Sequence, residues 1–260
     1  MGHLENMMQK LKLSICVMCL CITLPVQAEH ELGTLQFTVD GFSADAETAS
    51  WSDVYGRAAC HSVHSATNGW SLAQREGDAV YFDYGVSSPL GFPDSATNIV
   101  KYAFAVVADV AASDHATLLD APCSIRFKLG VFGDGAPFYE SQLTNSVALV
   151  VNGRDTNEFT EEPRFQLIEA EFDSPCGLDE IYIGGTPATA AWCQSWTGGI
   201  AELILLSRVP TEAERNAVVR YLALQHGMAL PTQADADIVA TLSDMGVHTG
   251  GIFDTVMSIR

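Results

Sequence analysis

Carboxylates occupy alternate positions in residues 168–173, at Glu169, Glu171 and Asp173. The segment has the composition of a strand, and alternate residues of a strand project from the same face of a sheet. Two carboxyl groups held about 5–5.5 Å apart can share the nucleophilic and acid–base steps of glycosidic-bond hydrolysis. This row is therefore the catalytic candidate of the chain, and a solvated strand face is the alternative.

A second group of residues has the chemistry of sugar binding. Such a site needs an aromatic ring for the C–H face of the sugar and polar groups for its hydroxyls. Trp192 and Trp196 are candidates for the ring, and Asn152 and Asp155 are candidates for the polar contacts or for calcium ligands. The alternatives are structural, because Trp196 directly precedes an apolar strand and Asn152 begins an Asn-Gly turn.

Other polar residues give weaker signals. Glu202 is the one carboxylate in the apolar run 200–206, where an unpaired charge would be costly to bury. It either faces the concave sheet or is held by backbone or arginine donors, and we favour a structural role over a ligand role. His61 and His64 lack an evident third ligand, so a polar loop is favoured over a metal site. The sequence has no nucleophile elbow, phosphate loop or H-E-x-x-H motif, so we assign no catalytic residue, metal site or resident cofactor, and calcium alone is left open.

Residues 1–28 have the pattern of a secretory leader. Lys10 and Lys12 precede an apolar run, and residues 26–28 end it with the small-residue pattern of a cleavage site. The run is short for a bilayer span, and an uncleaved anchor is the alternative. The pattern predicts a secreted, periplasmic or cell-surface protein whose mature chain begins near Glu29 without a transmembrane segment.

Four cysteines follow the leader, at Cys60, Cys123, Cys176 and Cys193. An even number in an oxidising compartment predicts disulfides, and four cysteines allow three pairings. We favour Cys176–Cys193, because it closes a short loop around a predicted strand, which leaves Cys60–Cys123 as the second bridge. Zinc is the rival interpretation, and the wide spacings argue against it.

The chain is strongly acidic, with 13 basic and 32 acidic residues and a formal net charge of −19. Such a surface repels phosphate backbones and anionic lipid headgroups, which argues against nucleic acid and membrane surfaces as partners. A neutral polysaccharide or a protein partner is compatible with this charge. Solubility alone is the simplest explanation of it.

Short apolar or alternating segments, separated by turn signals, recur along the chain. They lie at residues 35–39, 80–83, 102–110, 125–132, 147–151, 165–172, 181–183 and 200–206. This spacing predicts an all-β fold, a two-sheet antiparallel jelly-roll sandwich. After the last strand, Thr211 and Glu214 have capping-box spacing and Gly227 follows an amphipathic stretch, so one C-terminal amphipathic helix is predicted.

The end of this pattern resembles a bacterial laminin G-like jelly-roll domain of the concanavalin A-like lectin/glucanase superfamily. The matching residues are Gly199, Ile200, Ala201, Glu202, Thr211, Glu214, Tyr221, Leu222 and Gly227. The resemblance spans roughly residues 32 to 231. It implies a sandwich domain at residues 29–231 and leaves residues 232–260 as a tail of unknown role.

The resemblance implies a carbohydrate-binding or adhesion module without catalytic activity, whose partner is a polysaccharide or a cell-surface glycan. One alternative is a glycoside hydrolase that uses Glu169, Glu171 and Asp173, and an open cleft along this row would favour it. The row departs from the E-x-D-x-(x)-E pattern of family 16 hydrolases, because aspartate stands in place of the acid–base glutamate. The other alternative is a structural cell-surface protein that binds a protein partner.

Overall fold

The structure is a computed structural model. It describes residues 33–83, 87–94, 96, 98–110, 116–122, 126–131, 138–140, 149–155, 164–187, 195–229 and 238–250. The predicted leader, residues 1–28, lies outside these ranges. None of the helices within them is long and apolar enough to span a membrane.

Most of the regular structure in the described residues is β. The strands are β1 (Thr34–Thr38), β2 (Phe42–Ala44), β3 (Ala49–Ser52), β4 (Ala59–Ser62), β5 (Gln74–Glu76), β6 (Ala79–Phe82), β7 (Leu90–Gly91), β8 (Ile99–Ala108), β9 (Ala116–Pro122), β10 (Arg126–Val131), β11 (Phe138–Glu140), β12 (Leu149–Val151), β13 (Arg154–Asp155), β14 (Phe165–Gly177), β15 (Tyr182–Ile183) and β16 (Gly198–Leu206). Two α-helices follow, α1 (Glu212–Gln225) and α2 (Ile238–Asp244), and short 3-10 turns lie at Val39–Gly41, Ala66–Asn68 and Leu178–Glu180.

The strands form two antiparallel sheets. The first, which we call the helix-side sheet, has the order β13-β12-β14-β8-β16-β6-β5, and β1 also pairs with β16. The second sheet has the order β11-β10-β9-β15-β7-β4-β3-β2. The sheets meet through aromatic side chains, since Phe37 of β1 packs edge-on against Trp51 of β3 with ring centroids 5.9 Å apart. The predicted all-β, two-sheet antiparallel sandwich is confirmed.

Strand β16 lies at the centre of the helix-side sheet. It pairs with β8 along one edge and with β6 and β1 along the other. Every residue of β16 is buried, as its apolar run predicts for a strand that is covered on both faces. Ile204 and Leu206 pack under the helices, whereas Leu203 and Leu205 alternate with them towards the second sheet.

Helix α1 covers the outer face of the helix-side sheet. It begins with the predicted capping box, because Thr211 Oγ1 accepts from the Glu214 N–H at 3.3 Å and Glu214 Oε2 accepts from the Thr211 N–H at 2.8 Å. Val218 and Leu222 are among the buried residues of the helix. At its end Gly227 has a φ of +63°, the left-handed conformation that stops the helix.

The capping box gives a pH-dependent prediction. Hydrogen bonds from Arg208 and, secondarily, from Thr211 lower the pKa of Glu214 from 4.5 to about 2, against an opposing effect of burial. Because this pKa is lower in the folded state, the contribution of Glu214 is present above about pH 4.5 and is lost as the pH falls towards 2. Thr211→Ala should lower the free energy of unfolding by about 1 kcal/mol.

Urea unfolding measures the stability of Thr211→Ala and of Glu214→Gln relative to the wild type. Glu214→Gln should be less stable than the wild type at pH 7, and the difference should shrink between pH 4.5 and pH 2. A difference that stayed constant over this range would contradict the role of the ionised carboxylate.

Candidate binding site

The catalytic candidate Glu169 lies beneath helix α1. It is fully buried, and its carboxylate accepts from Arg215 Nε at 2.5 Å and from Arg215 Nη2 at 2.8 Å. The Tyr102 hydroxyl donates to the same carboxylate at 3.3 Å. Burial raises the pKa of Glu169 while the Arg215 hydrogen bonds oppose this shift. The helix therefore covers the first carboxylate of the row, which does not lie in an open cleft.

Of the other two carboxylates of the row, the structure describes that of Glu171. Glu171 is partly exposed, and its Oε1 lies 3.6 Å from Lys101 Nζ. The pairing of β14 with β8 shifts register between Glu171 and Cys176, so Asp173 lies in the irregular part of the strand. The side chain of Asp173 is outside the described residues. The open row that the hydrolase alternative requires is not formed at Glu169.

Of the residues predicted to bind a sugar, the structure describes the side chains of Trp196 and Asn152. Trp196 is fully buried, so it packs in the core and offers no ring face to solvent. Asn152 adopts φ +50° in the turn after β12, where its Oδ1 accepts from the Leu167 N–H at 2.9 Å. Its amide thus ties the turn to β14, the structural role that the sequence left open. Trp192 and the side chain of Asp155 lie outside the described residues.

The predicted disulfides need a correction at Cys60. Its thiol is free and buried, and it lies 3.5 Å from the Trp51 carbonyl oxygen, so the bridge to Cys123 is not formed in the structure. Burial raises the pKa of this thiol, which makes it unreactive. The Cys176 thiol, whose sulfur lies 3.7 Å from Glu180 Oε2, is likewise not in a disulfide, so the predicted bridge to Cys193 is also not formed in the structure. Cys193, like Cys123, is outside the described residues.

The polar loop predicted for His61 and His64 is wrong at His61, which lies in β4 and pairs with Ser50 of β3. His61 is exposed, while the His64 ring stacks on Trp70 with centroids 4.1 Å apart. Burial lowers the pKa of His64. Within the part of the chain that the structure describes, no three His, Cys, Asp or Glu side chains come together to hold a metal ion.

A pocket of about 350 Å³ opens where the end of α1 meets the start of β16 and the segment after α2. It is lined by Thr38, Val39, Asp40, Asp78, Phe165, Ala201, Glu202, Tyr221, Gln225, His226, His248 and Gly250. The lining combines aromatic rings with carboxylate, amide and imidazole groups. This mixture is typical of sites that bind small polar ligands.

Glu202 forms the floor of this pocket. The carboxylate is buried, and its Oε1 accepts from Gln36 Nε2 at 2.6 Å and from the Tyr221 hydroxyl at 3.0 Å. Its Oε2 lies 3.0 Å from His226 Nε2. These donors, one from β1 and two from α1 and its C-cap, satisfy the buried charge. The structural role of Glu202 is therefore confirmed, but its donors are the side chains of a glutamine, a tyrosine and a histidine and not the predicted backbone or arginine groups.

Aromatic and charged groups form the rim. The Phe165 ring lies 5.4 Å from the His226 ring, and the Arg164 guanidinium lies 4.8 Å from the Phe165 centroid. Arg164 also pairs with Asp78 at 2.9 Å, and this pair is about half exposed. Exposed pairs of this kind contribute little stability, so a ligand could displace them at small cost.

Sequence reasoning identified only Glu202 in this pocket. Gln36 lies in the alternating segment 35–39, whose pattern is typical of a half-buried strand with its polar side chains in solvent, and no local signal indicates that a helix covers that face. Phe165 begins the predicted strand 165–172 and His226 precedes the predicted helix stop at Gly227, but neither they nor His248 has a sequence signal for ligand binding. The one available signal was the buried carboxylate itself, since Glu202 required donors from elsewhere in the chain.

Comparisons with known proteins identify no family for the chain. No protein-family profile matches it, and no curated protein matches it. Among solved structures, the sialidase of Trypanosoma rangeli, in complex with 2,3-difluorosialic acid as a covalent intermediate, is similar with a TM-score of 0.40 and 13% identity. The similarity covers 69% of this chain and 31% of the sialidase chain, so this protein spans under a third of that enzyme's length. At this level the similarity says nothing about the activity of this protein.

Proposed function

We propose that the protein is a secreted carbohydrate-binding module without catalytic activity, built on a concanavalin A-like, laminin G-like sandwich. Its ligand occupies the pocket between α1, β16 and the segment after α2. The composition of the pocket supports this function most directly, because aromatic rings and hydroxyl-binding groups converge on one cavity.

The residues at the rim of the pocket contact the sugar, whereas Glu202 at the floor is held by other side chains of the protein. The Phe165 ring provides apolar surface for the C–H groups of a sugar, while Asp78 and Gln225 offer exposed polar groups to its hydroxyls. Glu202 favours binding over catalysis, because Gln36, Tyr221 and His226 already occupy both of its oxygens. A general acid would instead need to exchange its proton with a substrate.

The charge of the pocket lining indicates which glycans should bind most tightly. The carboxylates of Asp40, Asp78 and Glu202 line the pocket; Arg75 pairs with Asp40 and Arg164 pairs with Asp78, but neither arginine is among the described lining residues. The whole chain carries a net charge of −19. Like charges repel, so neutral or amine-bearing glycans should bind more tightly than sialylated, sulfated or uronic-acid glycans.

Phe165→Ala should weaken glycan binding by about tenfold, equivalent to roughly 1.4 kcal/mol, through the loss of ring contacts. A glycan array of the purified protein identifies the ligands, and titration calorimetry on the best of them measures the loss. The matched control is Trp70→Ala, which removes another partly exposed ring that lies outside the pocket lining and should leave the affinity unchanged.

Further experiments distinguish carbohydrate binding in this pocket from the alternative site and the alternative functions. Trp192→Ala tests the loop predicted from the sequence, and a loss of affinity there but not with Phe165→Ala would move the site away from the pocket. Repeating the array with a chelator tests calcium. Silence in both conditions would overturn carbohydrate binding, turnover of a β-glucan would restore the hydrolase, and binding confined to a basic protein would favour the interaction protein.

A further inference from the structure

We propose that residues 245–250, part of the tail that the sequence left without a role, form a wall of the binding site, and that Gln36 is the residue that positions this wall. The inference rests on the proposed function, since it concerns the same pocket. His248 and Gly250 both line that pocket.

The wall is fixed to the sandwich through one side chain. The His248 N–H donates to Gln36 Oε1 at 2.6 Å, and Gln36 Nε2 donates to the His248 carbonyl oxygen at 3.0 Å. The side-chain amide of Gln36 therefore pairs with the backbone of His248 as a neighbouring strand would. The His248 ring also lies edge-on to Tyr55, with centroids 6.0 Å apart.

Apolar packing holds the other side of the wall. Leu242 of α2, together with Met245 and Val247, is buried in the same cluster as Val218 and Leu222 of α1. The segment is thus anchored to α1 by these side chains. The two Gln36 hydrogen bonds join the backbone of His248 to the pocket floor.

Gln36 links the wall to the floor. It is fully buried, and its Nε2 contacts Glu202 Oε1 at 2.6 Å and the Tyr221 hydroxyl at 3.1 Å as well as the His248 carbonyl. Through this one side chain the orientation of Glu202 is coupled to the docking of the wall. A ligand that contacts the wall must then stabilise its docking, and docking must strengthen ligand binding by the same factor.

The first test separates the backbone of His248 from its ring. His248→Pro removes the N–H that Gln36 accepts, whereas His248→Ala keeps this N–H and removes only the ring. The probes are cellohexaose, laminarihexaose, N-acetylchitohexaose and the amine-bearing glucosamine hexamer. For any probe that the wild type binds, His248→Pro should weaken binding by about tenfold and His248→Ala by about threefold or less.

The second test needs no substitution and so does not depend on the folding of a variant. Hydrogen exchange of the His248 amide, measured on the full chain, should slow by about fivefold or more when a bound probe saturates the protein. The His61 amide, in the second sheet, is the control and should not change.

The outcomes distinguish the two claims. If a probe binds and neither His248→Pro nor the exchange experiment shows an effect, the wall is excluded while carbohydrate binding stands. If the wild type binds none of the four probes and no glycan of the array, both claims are overturned.

Discussion

Arg215→Met is expected to lower the free energy of unfolding at pH 7 by about 3 kcal/mol, because it leaves the Glu169 carboxylate buried without its cation. Glu169 has no exposed surface on its side chain, while the side chain of Arg215 is 32% exposed. Water reaches the guanidinium side of the pair, so the expected loss lies at the low end of the range for a broken buried ion pair. Unfolding curves in guanidinium chloride measure this loss of stability.

The matched control is the double variant Arg215→Met with Glu169→Leu. It removes both charges and replaces them with apolar side chains, so most of the lost stability should return. Glu171→Gln serves as a second control, because this partly exposed carboxylate on the same strand should change stability by less than about 0.5 kcal/mol. A double variant as unstable as Arg215→Met would show that the packing of Arg215, and not its charge, supports the helix.

The pH dependence of Arg215→Met has a definite sign. Burial already raises the pKa of Glu169 in the wild type, and removal of Arg215 should raise it further. A carboxyl group whose pKa is higher in the folded state costs least stability below its unfolded value of about 4.5; the cost grows as the pH rises from there to the folded pKa and is constant above it. The gap between wild type and Arg215→Met should therefore be smallest at acid pH.

Local sequence signals predicted the framework because they act over short distances. Thr211 and Glu214 cap the helix within a single turn, and the apolar run of β16 indicates burial on both faces without reference to any partner strand. The two sheets follow from the repetition of such strands, since alternating segments must cover their apolar faces. These features depend on neighbouring residues, so they could be predicted from the chain alone.

The pocket depends on contacts between residues that are distant in the sequence, and local patterns do not reveal such contacts. The alternation of Glu169 and Glu171 correctly predicted a shared strand face, but no local signal shows that α1 lies over that face and supplies Arg215, 46 positions away. Gln36 and His248 meet across 212 positions. Local sequence predicts that such polar side chains are exposed to solvent. In the folded protein they are buried and form hydrogen bonds between distant segments of the chain.

The environment of Trp196 also could not be predicted from local sequence. An indole has the surface that sugars stack on, and an equally suitable shape for filling a core. Its neighbour in the chain, β16, is central, so the ring is carried into the interior and is fully buried. Residue type alone could not distinguish these two environments.

Glu202→Leu is expected to lower the free energy of unfolding by about 3–5 kcal/mol, because it leaves the buried donors of Gln36, Tyr221 and His226 without their acceptor. Glu202→Gln is the matched variant. Its amide oxygen still accepts from Gln36 and Tyr221, so the expected loss is only about 1–2 kcal/mol. Glu212→Gln, at an exposed position in the first turn of α1, should change stability by less than about 0.5 kcal/mol.

The two Glu202 variants also separate stability from binding. Glu202→Gln keeps the bond that orients Gln36, so the wall at His248 should stay docked and glycan affinity should fall by less than about threefold. Glu202→Leu frees Gln36 from the floor, and exchange of the His248 amide should accelerate even under conditions where the variant remains folded. If Glu202→Leu matched the wild type in unfolding free energy, the buried network would not hold α1 on the sheet, and the pocket would owe its shape to the apolar packing of Val218 and Leu222 instead.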